Sequence, residues 1–324
     1  MKPANKGSYF QNVTLAGLKA DPNTKLAVAG KNGVTDYKFG DDFVATTGAQ
    51  AERILVESEI VFVGYGIDAP LYKWNDYKGG EADYKGKILM ILVNDPPASA
   101  GEPDLFGGKA LTYFGRWTYK FEEAARRGAA GVILVHTTGS AGYGWNVVRT
   151  SNGNWRYEIA RKAGDKSPYL QFKGWATEDA ASRILGSAGF DLTKLSAAAR
   201  TRDFKPVKTG VTAKLELNSQ MKTFDSPNVA GIVDGTDSKL KSEFVIYSGH
   251  WDHLGIGEPN ASGDKIYNGA YDNASGVAAI LGIADVIAKL PKKERPKRSI
   301  MFFFPTAEEQ GLLGAEYYSR HPLV

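Results

Sequence analysis

The chain has 324 residues, with 40 Lys and Arg against 36 Asp and Glu, a net charge of +4, no cysteine and four histidines. Without cysteine there is no disulfide scaffold, thiol nucleophile, iron–sulfur cluster or Cys-type zinc finger, and so small a net charge makes no electrostatic case for a nucleic-acid partner. Hydrophobic residues make up 43% and charged residues 23%, a globular rather than disordered composition, so any metal chemistry must draw on carboxylates and on His136, His250, His253 or His321.

The length suggests two domains of about 150 residues each. Residues 1–7 lack the apolar stretch of a signal peptide. No run approaches the roughly 18 apolar residues of a membrane span. Short strands are expected at 9–18, 24–29 and 43–46, punctuated by Gly and Asp. A buried strand follows at 60–63, an irregular loop at 64–84, and a second buried strand at 86–93. Helical spacing runs over 118–127, Gly128 ends it, and 131–136 is a strand. Strand, helix, strand makes a compact α/β module. A Gly-, Asn- and Trp-rich loop is expected over 139–168, and a second helix over 177–189.

Beyond residue 210 the pattern changes. Strands are expected at 211–217, 228–233 and 244–247. An amphipathic helix spans 275–290, with Val277, Ile280, Leu281, Ala284 and Ile287 on one face. Pro291 ends it, and 300–304 is the most apolar strand of the chain. A last helix is expected over 312–318. Strands joined by a crossover helix imply an α/β fold, a mostly parallel sheet with helices on both faces.

Gly64-Tyr65-Gly66-Ile67-Asp68-Ala69 follows a strand and has the glycine spacing of a dinucleotide fingerprint. That fingerprint works only if a helix starts at the turn, so that its free N–H groups meet the pyrophosphate. Pro70, Asn75, Gly79 and Gly80 follow instead, and no helical face exists. A dehydrogenase is therefore the third reading, behind two others.

Three segments carry the chemistry. Gly249-His250-Trp251-Asp252-His253 leaves one buried strand, Asp272-Asn273-Ala274-Ser275-Gly276 opens the long helix, and Glu308-Glu309-Gln310-Gly311 leaves the most apolar strand. In an open parallel sheet, ligands bind beyond the carboxyl ends of the strands, so these segments are expected to meet on one rim. Imidazole and carboxylate are the ligands of a hydrolytic zinc when no thiol is present. His250 offers a ring nitrogen, and Asp252 is placed to hold the other ring N–H and fix the tautomer. Asp272 has two oxygens with which to bridge two metals, and Glu309 offers a further ligand. The adjacent Glu308 points elsewhere and suits a general base. His253 is expected at the rim or behind the ligands, His136 as a core or loop histidine of the other module, and His321 on the surface.

These segments resemble the dizinc aminopeptidase family, whose relatives include glutamate carboxypeptidase and the non-catalytic transferrin receptor. The resemblance rests on His250-Trp251-Asp252, Asp272-Asn273-Ala274-Ser275-Gly276 and Glu308-Glu309-Gln310-Gly311-Leu312-Leu313-Gly314. It implies a zinc-dependent exopeptidase, hydrolysing N-terminal residues from peptides with a Glu general base. In that pattern His250 and Glu309 bind different zinc ions of a pair, Asp272 bridges them, Glu308 is the base and Asp252 orients His250. Val61-Phe62-Val63-Gly64-Tyr65-Gly66 and Tyr84-Lys85-Gly86-Lys87-Ile88 resemble an inserted α/β protease-associated domain. The implied organisation is 1–49 as the N-terminal part of the peptidase domain, 50–205 as the insert, and 206–324 as the metal-site half. The family's remaining Asp and His ligands are expected beyond Val324, so a chain ending there is expected to bind zinc poorly and to show little activity. The resemblance also implies a secreted or periplasmic place. A carboxypeptidase or another zinc amidohydrolase of the same fold, and a non-catalytic receptor-like relative, are the alternatives. The sequence carries no signal for oligomeric state.

Overall fold

The computed structural model describes residues 1–257, 259 and 262–324. In chain order the principal elements are β1 (Phe10–Ala20), β2 (Lys25–Gly30), β3 (Gly33–Lys38), β4 (Phe43–Thr47), β5 (Arg53–Phe62), β6 (Ile88–Leu92), α1 (Trp117–Arg126), β7 (Gly131–His136), β8 (Arg156–Ile159), β9 (Phe172–Thr177), α2 (Glu178–Ser187), β10 (Val207–Val233), β11 (Phe244–Ser248), α3 (Ser275–Lys289), β12 (Ser299–Phe304) and α4 (Leu313–Arg320). They pack into two units. Unit 1 holds residues 1–17, 157–161 and 222–324, and unit 2 holds 18–156 and 162–221.

In unit 2, β5, β6, β7 and β9 form a parallel ladder, with Ile88 facing both Ile60 and Gly131, and Gly131 facing Phe172. β4 closes one side antiparallel to β9, and the β2–β3 hairpin pairs antiparallel with β10. The strand side chains alternate between two cores. Ile88, Met90 and Leu92 face Ala181, Ile184 and Leu185 of α2, while Leu89 and Ile91 face Phe121, Ala124 and Ala125 of α1. A sheet covered on both faces needs unbroken apolar strands, which is why 88–92 carries no polar residue.

Unit 1 is built on β12. Its neighbours are β11, parallel to it from Phe244↔Ser299 to Ser248↔Phe303, and the end of β10, antiparallel to it from Val229↔Phe304 to Val233↔Ile300. Alternation again gives two faces. Ile300, Phe302 and Phe304 pack with Val233 and with Ile280 and Ala284 of α3. Met301 and Phe303 pack with Ala230, Ile232 and Tyr318 of α4. Helices therefore cover both faces of this short sheet, and the fold is mixed α/β, as expected.

Three features differ from the sequence reading. The strands expected at 211–217 and 228–233 are parts of one 27-residue strand, β10, because the polar residues between them stay extended and largely exposed. The segment 139–168 is not a plain loop, since it contains the helices Thr138–Ala141 and Trp145–Gly153 and the strand β8. The compact units change over at 17/18, 156/157, 161/162 and 221/222, where the sequence reading has 49/50 and 205/206. β1, β8 and β10 run through 17/18, 156/157 and 221/222 without a break.

Phe302 is fully buried and its ring stacks on Tyr247 with centroids 5.9 Å apart. Phe302→Ala is expected to cost about 3–4 kcal/mol, lost transfer energy plus the cavity left behind. Urea unfolding followed by circular dichroism measures it, and a loss below about 1 kcal/mol would show that unit 1 does not hinge on this strand.

Candidate metal centre

The site sits where β11 and β12 end. Because these strands are parallel, both carboxyl ends lie on one rim, and the chain leaving β11 must begin α3 from that same rim. His250, Asp272 and the glutamate pair are thus brought together from sequence-distant segments, as the sequence reading expects. Gly249 allows a close approach there. A Cβ on it would meet Cδ1 of Ile280 at 3.0 Å.

His250 is buried at 8% exposure. Its Nδ1 lies 2.9 Å from the main-chain carbonyl of Asp252. A carbonyl oxygen only accepts, so Nδ1 carries the proton and Nε2 is the free position. Nε2 lies 3.0 Å from Oδ1 of Asp272 and 3.7 Å from Oε2 of Glu308. Asp252 meets His250 through its main-chain carbonyl rather than through the expected carboxylate, which stands 4.0 Å from Nδ1. That carboxylate instead accepts the Glu308 main-chain N–H, at 3.2 and 3.1 Å. One residue therefore holds both the imidazole and the glutamate loop.

The motif around Asp272 has a local logic. Gly269 takes a left-handed φ of 66° at the turn into Ala270–Ala274, and the Asp272–Asn273 peptide is cis. Oδ1 of Asn273 accepts the Gly276 N–H at 3.1 Å, capping the start of α3. A Cβ on Gly276 would lie 2.1 Å from that oxygen, so glycine is required. Asp272 is left pointing outward, with its side chain 62% exposed.

The glutamate loop hangs on Asn228, which is fully buried in β10. Its Oδ1 accepts the Thr306 N–H at 3.0 Å. Its Nδ2 donates to the Gly314 carbonyl at 2.8 Å and to Oε1 of Gln11 at 3.0 Å. A Cβ on Gly314 would meet Oδ1 of Asn228 at 2.3 Å, so the last helix can start only with glycine at this position. Ala307 adopts a left-handed φ of 52°, which turns Glu308 and Glu309 outward from the strand end. The Tyr157 N–H donates to Oε1 of Gln310 at 3.3 Å, and Tyr157 and Ile159 pack against Ala307 and Leu313.

Electrostatics follow from this crowding. Burial raises the Glu308 carboxyl above its ordinary range; His250 opposes this, and Glu309, Asp252 and Asp272 add to it. Burial also raises Asp252, against the pull of the Glu308 N–H. For His250 burial acts downward, but the Asp252 carbonyl and the carboxylates of Glu308, Asp252 and Asp272 outweigh it, so the imidazole ends above the usual histidine range.

One nitrogen of His250 and one oxygen each of Asp272 and Glu309 lie within 4.8 Å of one another. Nε2 of His250 lies 3.0 Å from Oδ1 of Asp272, a contact satisfied by a proton on Nε2 or by a cation between the two atoms. Two ligand atoms each about 2.0–2.1 Å from a tetrahedral zinc stand roughly 3.3 Å apart, a separation that the His250–Asp272 pair approaches at 3.0 Å. His253, expected at the rim or behind the ligands, has Nδ1 2.7 Å from Oε1 of Glu309. His136 is buried in unit 2, where Nε2 meets the Tyr143 carbonyl at 3.0 Å, and His321 is exposed beside Tyr317. Asn228 is the supporting residue that sequence reasoning missed; the available signal was one amide opening an otherwise apolar strand run, Asn228 to Val233.

Residues 228–324 match Peptidase family M28. The mouse (Mus musculus) aminopeptidase NAALADL1 is 25% identical over 355 aligned residues, covering 96% of this chain and 44% of that protein. A probable leucine aminopeptidase 2 of Aspergillus oryzae is 27% identical over 74% of this chain and 36% of its own length. A vacuolar membrane protease of Lodderomyces elongisporus is 33% identical over 33% of this chain and 10% of its own length. Among solved structures, the aminopeptidase from Aneurinibacillus sp. strain AM-1 has a TM-score of 0.45 at 21% identity, covering 96% of this chain and 56% of that one. A zinc aminopeptidase from Bacillus subtilis has a TM-score of 0.34 at 19% identity, covering 96% and 55%. The chain thus spans 44% of the length of its mouse relative. The stretch that matches Peptidase family M28, residues 228–324, contains the rim just described. Among the described residues, no helix is long and apolar enough to cross a membrane.

Asn228→Ala leaves the Thr306 N–H and the Gly314 carbonyl without their partner, and the expected cost is about 2–3 kcal/mol. The check is chemical denaturation. A variant as stable as wild type would mean that the glutamate loop is held by other contacts.

Proposed function

We propose that this chain carries the metal-site part of a zinc-dependent aminopeptidase, which hydrolyses N-terminal residues from peptides. The observation that carries the proposal is the convergence of His250, Asp272 and Glu309, with donor atoms within 4.8 Å, beside a carboxylate, Glu308, that burial raises above its ordinary range. In this reading His250, Asp272 and Glu309 hold the metal, with the pair of zinc ions that the family resemblance implies. Zinc, when bound, supplies Lewis acidity to the scissile carbonyl and to water. Glu308 takes a proton from the attacking water on Oε2 and delivers it to the departing amine. A raised carboxyl pKa suits both halves of that task, since the group must accept a proton and then part with it near neutral pH. Asp252 keeps both partners in register, His250 through its carbonyl and the Glu308 main chain through its carboxylate.

Unit 2, with its own pair of cores, is read as the inserted protease-associated-type domain, and the peptidase part is centred on unit 1. The same resemblance supports a secreted or periplasmic place for the protein.

The first test is zinc titration of the 324-residue chain by calorimetry. Wild type and Glu308→Gln are expected to bind alike, at the low affinity that the resemblance implies for this chain, and His250→Ala and Asp272→Ala to lose measurable binding, since each removes one of a few ligands. Zinc binding that ignores both alanine substitutions would sink the metal assignment. The second test is hydrolysis of aminoacyl p-nitroanilides and short peptides. Glu308→Gln should lower kcat by roughly 10²–10⁴ at unchanged zinc content, as expected for a lost general base. Peptides with a free N-terminus should be cleaved and N-acetylated ones spared. Cleavage of the acetylated peptides from their C-terminal end would make the protein a carboxypeptidase instead.

A further inference from the structure

His253 is the one histidine near the rim to which the proposed chemistry gives no task, yet its surroundings are specific. Its Nδ1 lies 2.7 Å from Oε1 of Glu309, 56 residues further along the chain, and both side chains are four-fifths buried, at 22% and 20% exposure. A carboxylate oxygen only accepts from an imidazole, so Nδ1 carries the proton and donates. On its other side His253 is pressed against the turn that carries Asp272. A Cβ built on Gly269 would stand 2.7 Å from Cβ and 2.9 Å from Cγ of His253, and 2.8 Å from the Asp272 carbonyl oxygen. Only a residue without a side chain fits between them, and the left-handed φ of 66° at Gly269 also favours glycine. His253 therefore touches two loops at once, the one bearing Asp272 and the one bearing Glu309. It also follows His250 by three residues on the segment leaving β11. All three ligand-bearing segments meet at this ring.

We propose that His253 is a positioning residue for metal binding: its Nδ1–H pins one oxygen of Glu309, leaving the carboxylate aimed at the cluster formed with His250 and Asp272, while its ring sets the distance between the Glu309 loop and the Asp272 turn. The inference rests on the metal reading given above. The physical effect is preorganisation. A glutamate side chain has several rotamers, and a hydrogen bond that selects one before the ion arrives removes that ordering cost from the binding step. Partners of this kind behind a ligand typically contribute 10–100-fold to metal affinity.

The test compares zinc affinity of the full chain for wild type, His253→Ala and His253→Asn, together with the melting temperature of each metal-free protein. Asparagine places its side-chain N–H close to where Nδ1–H stands but cannot replace an imidazole as a zinc ligand. The expected result is a 10–100-fold weaker dissociation constant for His253→Ala, recovery to within about threefold for His253→Asn, and metal-free melting temperatures that do not follow this order. An alanine variant that binds as tightly as wild type overturns the proposal. An asparagine variant as weak as alanine also overturns it, because His253 would then be a ligand or a purely structural wedge. Failure of wild type to bind zinc is a separate outcome, and that one brings down the metal reading together with this inference.

Discussion

Five residue pairs of parallel strand, from Phe244 with Ser299 to Ser248 with Phe303, decide where the chemistry of this chain can happen. Two parallel strands end on the same side of their sheet, and the connection between them must cross back over one face. The crossover here is α3, so its N-terminus is forced to the rim where β11 has just ended. His250, Asp272 and Glu309 are 22 to 59 positions apart in sequence, yet this one pairing leaves them nowhere else to meet. Burial of Ile300, Phe302 and Phe304 against α3, and of Met301 and Phe303 against the opposite face, keeps the pairing in place.

The rim is then held in shape by polar groups buried behind it. Asn228 satisfies main-chain groups on both sides of the glutamate loop, and Asp252 divides its hydrogen bonds between His250 and Glu308. Each is a polar residue taken out of water with its partners present, which is the condition under which burial of such groups is tolerated. The arrangement also explains the glycines of the motifs. Gly249, Gly269, Gly276 and Gly314 each sit where a Cβ would strike a neighbouring atom at 3.0 Å or less. Close approach of backbone segments, rather than flexibility, is their common purpose at this site.

The carboxylates crowd because nothing in the protein separates them. Glu308, Asp252 and Asp272 all act on the His250 imidazole and lift it above its usual range, while burial lifts Glu308 itself. A cluster with this much negative charge and one histidine nitrogen aimed inward invites a cation. The cluster lies within residues 228–324, the stretch that matches Peptidase family M28.

Much of this was legible from residue order alone. Apolar runs at 60–63, 86–93, 131–136 and 300–304 announced buried strands, and the amphipathic pattern of 275–290 announced a crossover helix, because burial on one or two faces imposes a local period on the chain; the run at 244–247, expected as buried, forms a strand whose Val245, Ile246 and Tyr247 are exposed. Strand ends then placed His250, Asp272 and the glutamates on one rim. The tertiary structure alone decided which atoms meet. Asp252 reaches His250 with its carbonyl rather than its carboxylate, and of the two places open to His253, the rim or behind the ligands, the one against Glu309 is taken. Asn228 supports a loop almost eighty positions away, since it meets Thr306 across a separation of 78 residues. Likewise β10 runs unbroken through polar residues that looked like a gap, and three of the four points at which the compact units change over fall within strands. The reason is the same in every case. Periodicity records which face of an element is buried, but a partner far along the chain is chosen by how loops close over one another, and that choice leaves no local mark on the sequence.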